Sequence, residues 1–189
     1  FAADGYLILK NSGLGKEVLP EMDATFSVDQ KSPDRHHIYD VGTHSVEALR
    51  HCANPDPITR LATLLHDVGK VKTQKVYPDG RITFYNHEIV GAKMTFEILN
   101  RLKFSKRDIE KITKLVRYHL FYYNVDEVTE SSVRRLVKNV GPLNIEELLW
   151  VRQADRIGSG VPKAEPYKLR HLKYIIDKVS QDPISVKML

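Results

Sequence analysis

The chain has 189 residues, of which 42% are hydrophobic and 28% charged, with a net charge of +5. That length supports one compact domain, or one domain with a small appendage, of ordinary soluble globular composition. No apolar run approaches the roughly 20 residues needed to cross a bilayer, so a membrane-spanning role is excluded. No charged-then-apolar leader opens the sequence. The one cysteine, Cys52, rules out an intramolecular disulfide and points to a reducing, cytoplasmic setting, with the thiol serving as a small residue in helix packing. The basic balance, with a pI near 9.2, favours an anionic partner such as a nucleotide or RNA, although no RNA-binding motif is present.

From Gly5 to about Asp23 the chain reads as short helical pieces broken by NSGLG and Pro20. SVDQKSPDRHHIYD has turn formers and no period, so a loop is expected. Asp40 or Thr43 then caps a helix carrying His44, Val46, Leu49 and His51, which ANPDP stops. Pro57 opens the next helix, about 56–68, where its missing N–H costs nothing. Ile58, Leu61, Ala62, Leu64 and Leu65 make its broad apolar face, His66 and Asp67 come at its C-terminal end, and Gly69 is expected to end it as a helix cap. VYPDGRITFY predicts a small β-hairpin around Pro78-Asp79-Gly80. Helices resume at about 87–102 and 105–120, the second started by Ser105 with Asp108 three residues on. Three more follow, at about 130–140, 144–157 and 167–179. The expected fold is an all-α bundle with one β-hairpin insertion.

Chemistry concentrates in six residues: His44, His66, Asp67, His87, His119 and Asp155. All are nitrogen or oxygen donors to a transition metal, and all fall on or at the ends of helices, which project such donors into a bundle core. Singly, each histidine has a plainer reading as a satisfied core residue, and Asp155 in WVRQADRIG as a salt-bridge acid with Arg152 or Arg156. The ordered set instead suggests one or two divalent transition metals. Asp67, adjacent to His66 at a helix end, is the natural bridging ligand, able to give one oxygen to each metal. A mixed nitrogen and oxygen set excludes a dedicated calcium site and fits Mn, Fe, Co, Ni or Zn. Lys70, three residues beyond Asp67, is expected beside the metal, holding a phosphate oxygen. His36 and His37 precede His44 in a polar loop, where His37 is read as touching substrate, and Arg156 is assigned to substrate as well. His51 and His171 are expected at the surface, while Phe121, Tyr122 and Tyr123 either pack a loop or line a cleft.

HDVGK, with an upstream His and a downstream Asp, resembles the HD superfamily of metal-dependent phosphohydrolases, whose ligand order matches at His44, His66-Asp67 and Asp155. The added His87 and His119 match its two-metal members. HHIYDVGTHSVEAL, RLATLLHDVGKVKT, FYNHEIVGAKMTFEILNRLKFS and LVRYHL look more specifically like the HD region of bacterial tRNA nucleotidyltransferases (CCA-adding enzymes) and poly(A) polymerase relatives. SGLGKEVLPEMDA resembles the segment that joins their catalytic head to this region, and DPISVKML the start of the segment that follows. The resemblance implies connecting helices over 1–35, an HD domain over 36–180, and over 181–189 the start of a truncated C-terminal segment. The polymerase head of that family is not among these residues, so the chain reads as fused to or cut from one.

The implied activity is hydrolysis of phosphoesters on nucleotides or RNA 3′ ends, tRNA among them, including 2′,3′-cyclic phosphates. In that scheme His44, His66 and Asp155 join Asp67 on one metal, His87 and His119 join Asp67 on the other, and Lys70 assists at the phosphoryl oxygens. One rival is a non-catalytic RNA-positioning module, which the basic clusters in LKFSKRDIEKITKLVRYH and SSVRRLVK favour. A second is a stand-alone nucleotidase or dinucleoside-polyphosphate hydrolase of the same two-metal pattern.

Overall fold

The computed structural model describes residues 1–30, 38–121, 127–160 and 167–181. They form a helical bundle with one small hairpin, as the periodicity predicts. Three short helices open the chain: α1 (Ala2–Asn11), α2 (Leu14–Val18) and α3 (Pro20–Thr25). The central layer is α4 (Val41–His51), α5 (Pro57–Leu65), α7 (His87–Arg101), α8 (Lys106–Tyr118) and α10 (Ile145–Gly158). Within it α10 lies on α4, α7 on α8, and α5 touches α4, α8 and α10. Met22, Leu65, Ile98, Leu99, Ile112, Leu115 and Leu148 fill the space between these helices. A smaller cluster of Val133, Leu172, Ile176 and Val179 joins α9 (Glu130–Val140) to α11 (Tyr167–Gln181).

Local chemistry explains where these helices begin. Asp40, not Thr43, caps α4: its carboxylate accepts from the Thr43 amide and hydroxyl, each at 2.7 Å. Asp56 caps α5 by accepting from the Ile58 and Thr59 amides. Ser105 caps α8 through the Asp108 amide and donates its hydroxyl to the Asp108 carboxylate at 2.7 Å. In α8 the buried residues are Ile109, Ile112, Leu115 and Val116, and between them the helix is largely Lys, Arg and Glu, the pattern of one face turned to a core.

The helix ends differ from the sequence reading in one place that matters. α5 stops at Leu65, three residues early, and a turn carries His66 to Gly69 into a short helix α6 (Lys70–Thr73). Gly69 is not a left-handed cap, because its φ is −65°. Its lack of a side chain serves packing instead. A Cβ there would lie 2.1 Å from the His87 carbonyl oxygen and 2.5 Å from the Gly91 amide nitrogen. The turn after α5 and the first turns of α7 therefore touch backbone to backbone.

Between α6 and α7 lies the predicted hairpin, reduced to two residues per strand: β1 (Lys75–Val76) and β2 (Ile82–Thr83). The strands are antiparallel, with Lys75 opposite Thr83 and Val76 opposite Ile82. Gly80 takes the positive φ of 82° that the turn requires. A 3₁₀ turn, Pro142–Asn144, precedes α10. Cys52 is buried and accepts from the Thr63 hydroxyl at 3.6 Å, in keeping with a packing role. Among the described residues no helix is long and apolar enough to cross a membrane.

Candidate metal centre

The six expected ligands converge on one point of the bundle. α4 supplies His44, the turn after α5 supplies His66 and Asp67, α7 begins with His87, His119 directly follows α8, and α10 supplies Asp155. Sequence separations exceed 100 residues, yet all six are buried, with His44, His66 and His119 fully so. They form two groups, His44 with His66 and Asp155, and Asp67 with His87 and His119.

The distances within each group are those of shared coordination. Two donors each about 2.0–2.2 Å from one ion stand about 2.9–3.6 Å apart. His44 Nε2 lies 3.1 Å from His66 Nε2 and 3.2 Å from Asp155 Oδ1. His87 Nε2 and His119 Nε2 lie 3.2 Å and 3.6 Å from Asp67 Oδ1. The other Asp67 oxygen, Oδ2, turns toward the first group, 3.3 Å from His66 Nε2 and 3.5 Å from His44 Nε2. Asp67 thus presents one oxygen to each group.

Hydrogen bonds to backbone carbonyls fix which nitrogen faces inward. The Nδ1 atoms of His66, His87 and His119 lie 2.6, 2.8 and 2.7 Å from the carbonyl oxygens of Thr63, Phe84 and Val116. A carbonyl only accepts, so each Nδ1 carries the proton and donates it. In the neutral imidazoles that leaves Nε2 with a bare lone pair. The buried Nε2 atoms of His87 and His119 make no hydrogen bond among the described residues. Two lone pairs aimed at a carboxylate oxygen, dry and without a shared proton, repel unless a cation lies between them. The residues present therefore fit a divalent metal by both donor chemistry and spacing.

Electrostatics point the same way. Burial works to raise Asp67, but the Lys70 ammonium and His66 hold it well below the usual carboxylate range. Burial likewise opposes ionisation of Asp155, and hydrogen bonds from His44 and His66 keep it well below that range. Burial also disfavours charge on His66, yet the Asp67 and Asp155 carboxylates push its pKa up to about 10. Two buried carboxylates thus draw positive charge to the centre. His119 goes the other way: burial, with His66 and His87 beside it, lowers its pKa and keeps the ring in its neutral, ligand form.

Asp155 uses both readings at once: Oδ2 accepts from Arg152 Nη1 at 2.7 Å, while Oδ1 faces the histidines. Lys70 is 6% exposed. Two of its three N–H groups go to Asp67 Oδ2 at 2.7 Å and Gln30 Oε1 at 2.8 Å, so its charge acts on the centre through Asp67. Arg156 is half-buried on α10, one residue past Asp155. His36, His37, Tyr122 and Tyr123 lie outside the described residues. Phe121 packs against both apolar clusters, and His51 is exposed. Sequence reasoning missed Gln30, which sits in an aperiodic segment with no motif to mark it.

This arrangement coincides with a known domain. The HD domain family matches residues 35–160, well over half of the chain. The chain belongs to the HD domain family. Among curated relatives, the A-adding tRNA nucleotidyltransferase of Deinococcus radiodurans is 37% identical over 168 residues, which is 86% of this chain and 37% of that protein. The multifunctional CCA protein of Neisseria meningitidis is 28% identical over 184 residues, covering 92% of this chain and 42% of the relative. That of Hahella chejuensis is 28% identical over 169 residues, covering 86% and 39%. The chain therefore spans about two fifths of the length of the curated relatives it matches. The HD match starts at residue 35 and contains all six converging residues, and the likeness to the relatives reaches beyond it to 86–92% of this chain.

Proposed function

We propose that this chain is the metal-dependent phosphohydrolase region of a tRNA nucleotidyltransferase-like protein, acting in the cytoplasm on phosphoesters of nucleotides or RNA 3′ ends, with 2′,3′-cyclic phosphates among its substrates. The observation that carries the reading is Asp67, which presents Oδ1 to His87 and His119 and Oδ2 to His44 and His66. His44, His66 and Asp155 with Asp67 would hold one divalent ion, and His87 and His119 with Asp67 a second. Such ions supply Lewis acidity toward a phosphoryl oxygen and lower the pKa of water toward 7.

The chain's own residues do the positioning. The three carbonyls of Thr63, Phe84 and Val116 lock the imidazoles with Nε2 inward. Arg152 pins Asp155, and Lys70 pins Asp67 and offsets its charge. Arg156, one position past Asp155 on α10, is assigned to an anionic substrate in this reading. In this reading 1–35 are connecting helices and 36–180 the catalytic domain.

The test is hydrolysis of bis-p-nitrophenyl phosphate, p-nitrophenyl phosphate and 2′,3′-cyclic AMP, each with added Mn, Fe, Co, Ni or Zn and with a chelator. Turnover that one or more of these metals restores after chelation is expected. A specific feature favours a second reading, an RNA-positioning module: the relative at 37% identity is named as an A-adding tRNA nucleotidyltransferase. Salt-dependent tRNA binding without turnover of any phosphoester would establish that reading instead.

A further inference from the structure

Residues 26–30 cross the start of α4 and the side of α6 as a strap. The Val41 amide donates to the Val28 carbonyl at 3.0 Å, and Gln74 Nε2 to the Asp29 carbonyl at 2.9 Å. The Phe26 ring fills the space above Gly42, where a Cβ would come within 2.5 Å of it. From this strap the side chain of Gln30 turns inward and is 4% exposed. Its Oε1 accepts from Lys70 Nζ at 2.8 Å, and its Nε2 lies 3.4 Å from the carbonyl of Asp40, the residue that caps α4. Lys70 is held on three sides: by Gln30, by Asp67 Oδ2 at 2.7 Å, and by the Phe84 ring, whose centroid is 5.3 Å away.

We propose that Gln30 is a positioning residue of the metal centre, which fixes the Lys70 ammonium on Asp67 Oδ2 and so sets how the Asp67 carboxylate is divided between the two ligand groups. The physical case is directional. A lysine ammonium is a point charge on a flexible stem and takes no preferred orientation from its own geometry. Its place must come from its acceptors. Asp67 alone would let it swing about Oδ2, whereas a neutral acceptor on the far side, itself anchored to the strap, limits it to one line. The carboxylate rotation that puts Oδ1 toward His87 and His119 follows from where that ammonium pulls. Removing a buried group that hydrogen-bonds to a metal ligand typically changes metal affinity or activity by about 10–100-fold.

The inference rests on the metal-centre reading, and the test separates the two. Mn²⁺ is titrated by calorimetry into the wild-type chain, Gln30→Met, Lys70→Met and the double variant, with helix content followed by circular dichroism. Gln30→Met keeps the length and burial of the side chain but removes the acceptor. Its Mn²⁺ affinity should fall about tenfold or more in the wild-type background. In the Lys70→Met background the same change should have almost no effect, since its target is gone. A purely structural role would give the same loss in both backgrounds, and that result overturns the proposal, as does an unchanged affinity for Gln30→Met. If Gln30→Met fails to fold, Gln30→Glu decides: it keeps an oxygen facing Lys70 and should bind Mn²⁺ within about threefold of wild type, and a tenfold loss there overturns the proposal. Absence of binding by the wild-type chain of Mn²⁺, and of Fe, Co, Ni and Zn titrated in the same way, overturns the metal-centre reading itself, and the positioning role with it.

Discussion

Asp67→Asn is expected to empty both halves of the centre at once. The substitution keeps the shape and one acceptor oxygen but removes the charge that both ligand groups share and that Lys70 answers. The loss of phosphoesterase activity should exceed the roughly 10–100-fold that losing a group hydrogen-bonded to a ligand costs, because on the proposed reading Asp67 is common to both ions. Metal content after dialysis should fall for both sites together, and far-ultraviolet circular dichroism should stay unchanged. Asp67→Ala is the harsher variant, since it also leaves the buried Lys70 ammonium without its carboxylate, a state that costs about 3–5 kcal/mol in comparable buried pairs. Wild-type turnover in Asp67→Asn would sink the catalytic assignment.

Gly69→Ala should be nearly as damaging, for a steric reason. The new methyl would meet the His87 carbonyl oxygen at 2.1 Å, and the Gly91 amide nitrogen and Cα at 2.5 and 2.8 Å, all backbone atoms that cannot swing aside. Relief requires moving the first turn of α7, and with it His87. Overpacking of this kind typically costs about 1–3 kcal/mol and sometimes more, and a rigid backbone contact on both sides places this site at the upper end. Urea unfolding should show that loss, and metal titration should show weakened binding by the Asp67, His87 and His119 group in the protein that remains folded. The reverse contact is looser: a Cβ on Gly91 would sit 3.2 Å from the Gly69 nitrogen, so Gly91→Ala should cost less. Equal stability of Gly69→Ala and wild type would show that this crossing is not tight in solution.

The six converging residues were legible in the sequence because each falls on a helix face or at a helix end that the period and the stop signals mark. His66 and Asp67 follow a five-residue apolar face, His87 opens a helix, and Asp155 is the one acid among apolar neighbours on the inner face of α10. The hairpin was legible from Pro78-Asp79-Gly80 because turn chemistry is local. Tertiary contacts were not. Gly69 resembles a helix cap in sequence, and only the approach of α7 shows that it is a spacer between backbones. Lys70 reads in sequence as a phosphate hook beside the metal, and only the strap shows Gln30 against it, 40 residues away in sequence. The split of Asp155 between Arg152 and the histidines also needed coordinates, since the sequence offered the two as alternatives.

The most direct test of the two-group centre is metal content per chain. Protein purified without chelator, then reconstituted with Mn, Fe, Co, Ni or Zn and desalted, is measured by elemental analysis. About two equivalents per chain is the predicted result, one for each group sharing Asp67. No retained metal after reconstitution with any of the five would contradict the account and leave a bundle whose role is to position RNA.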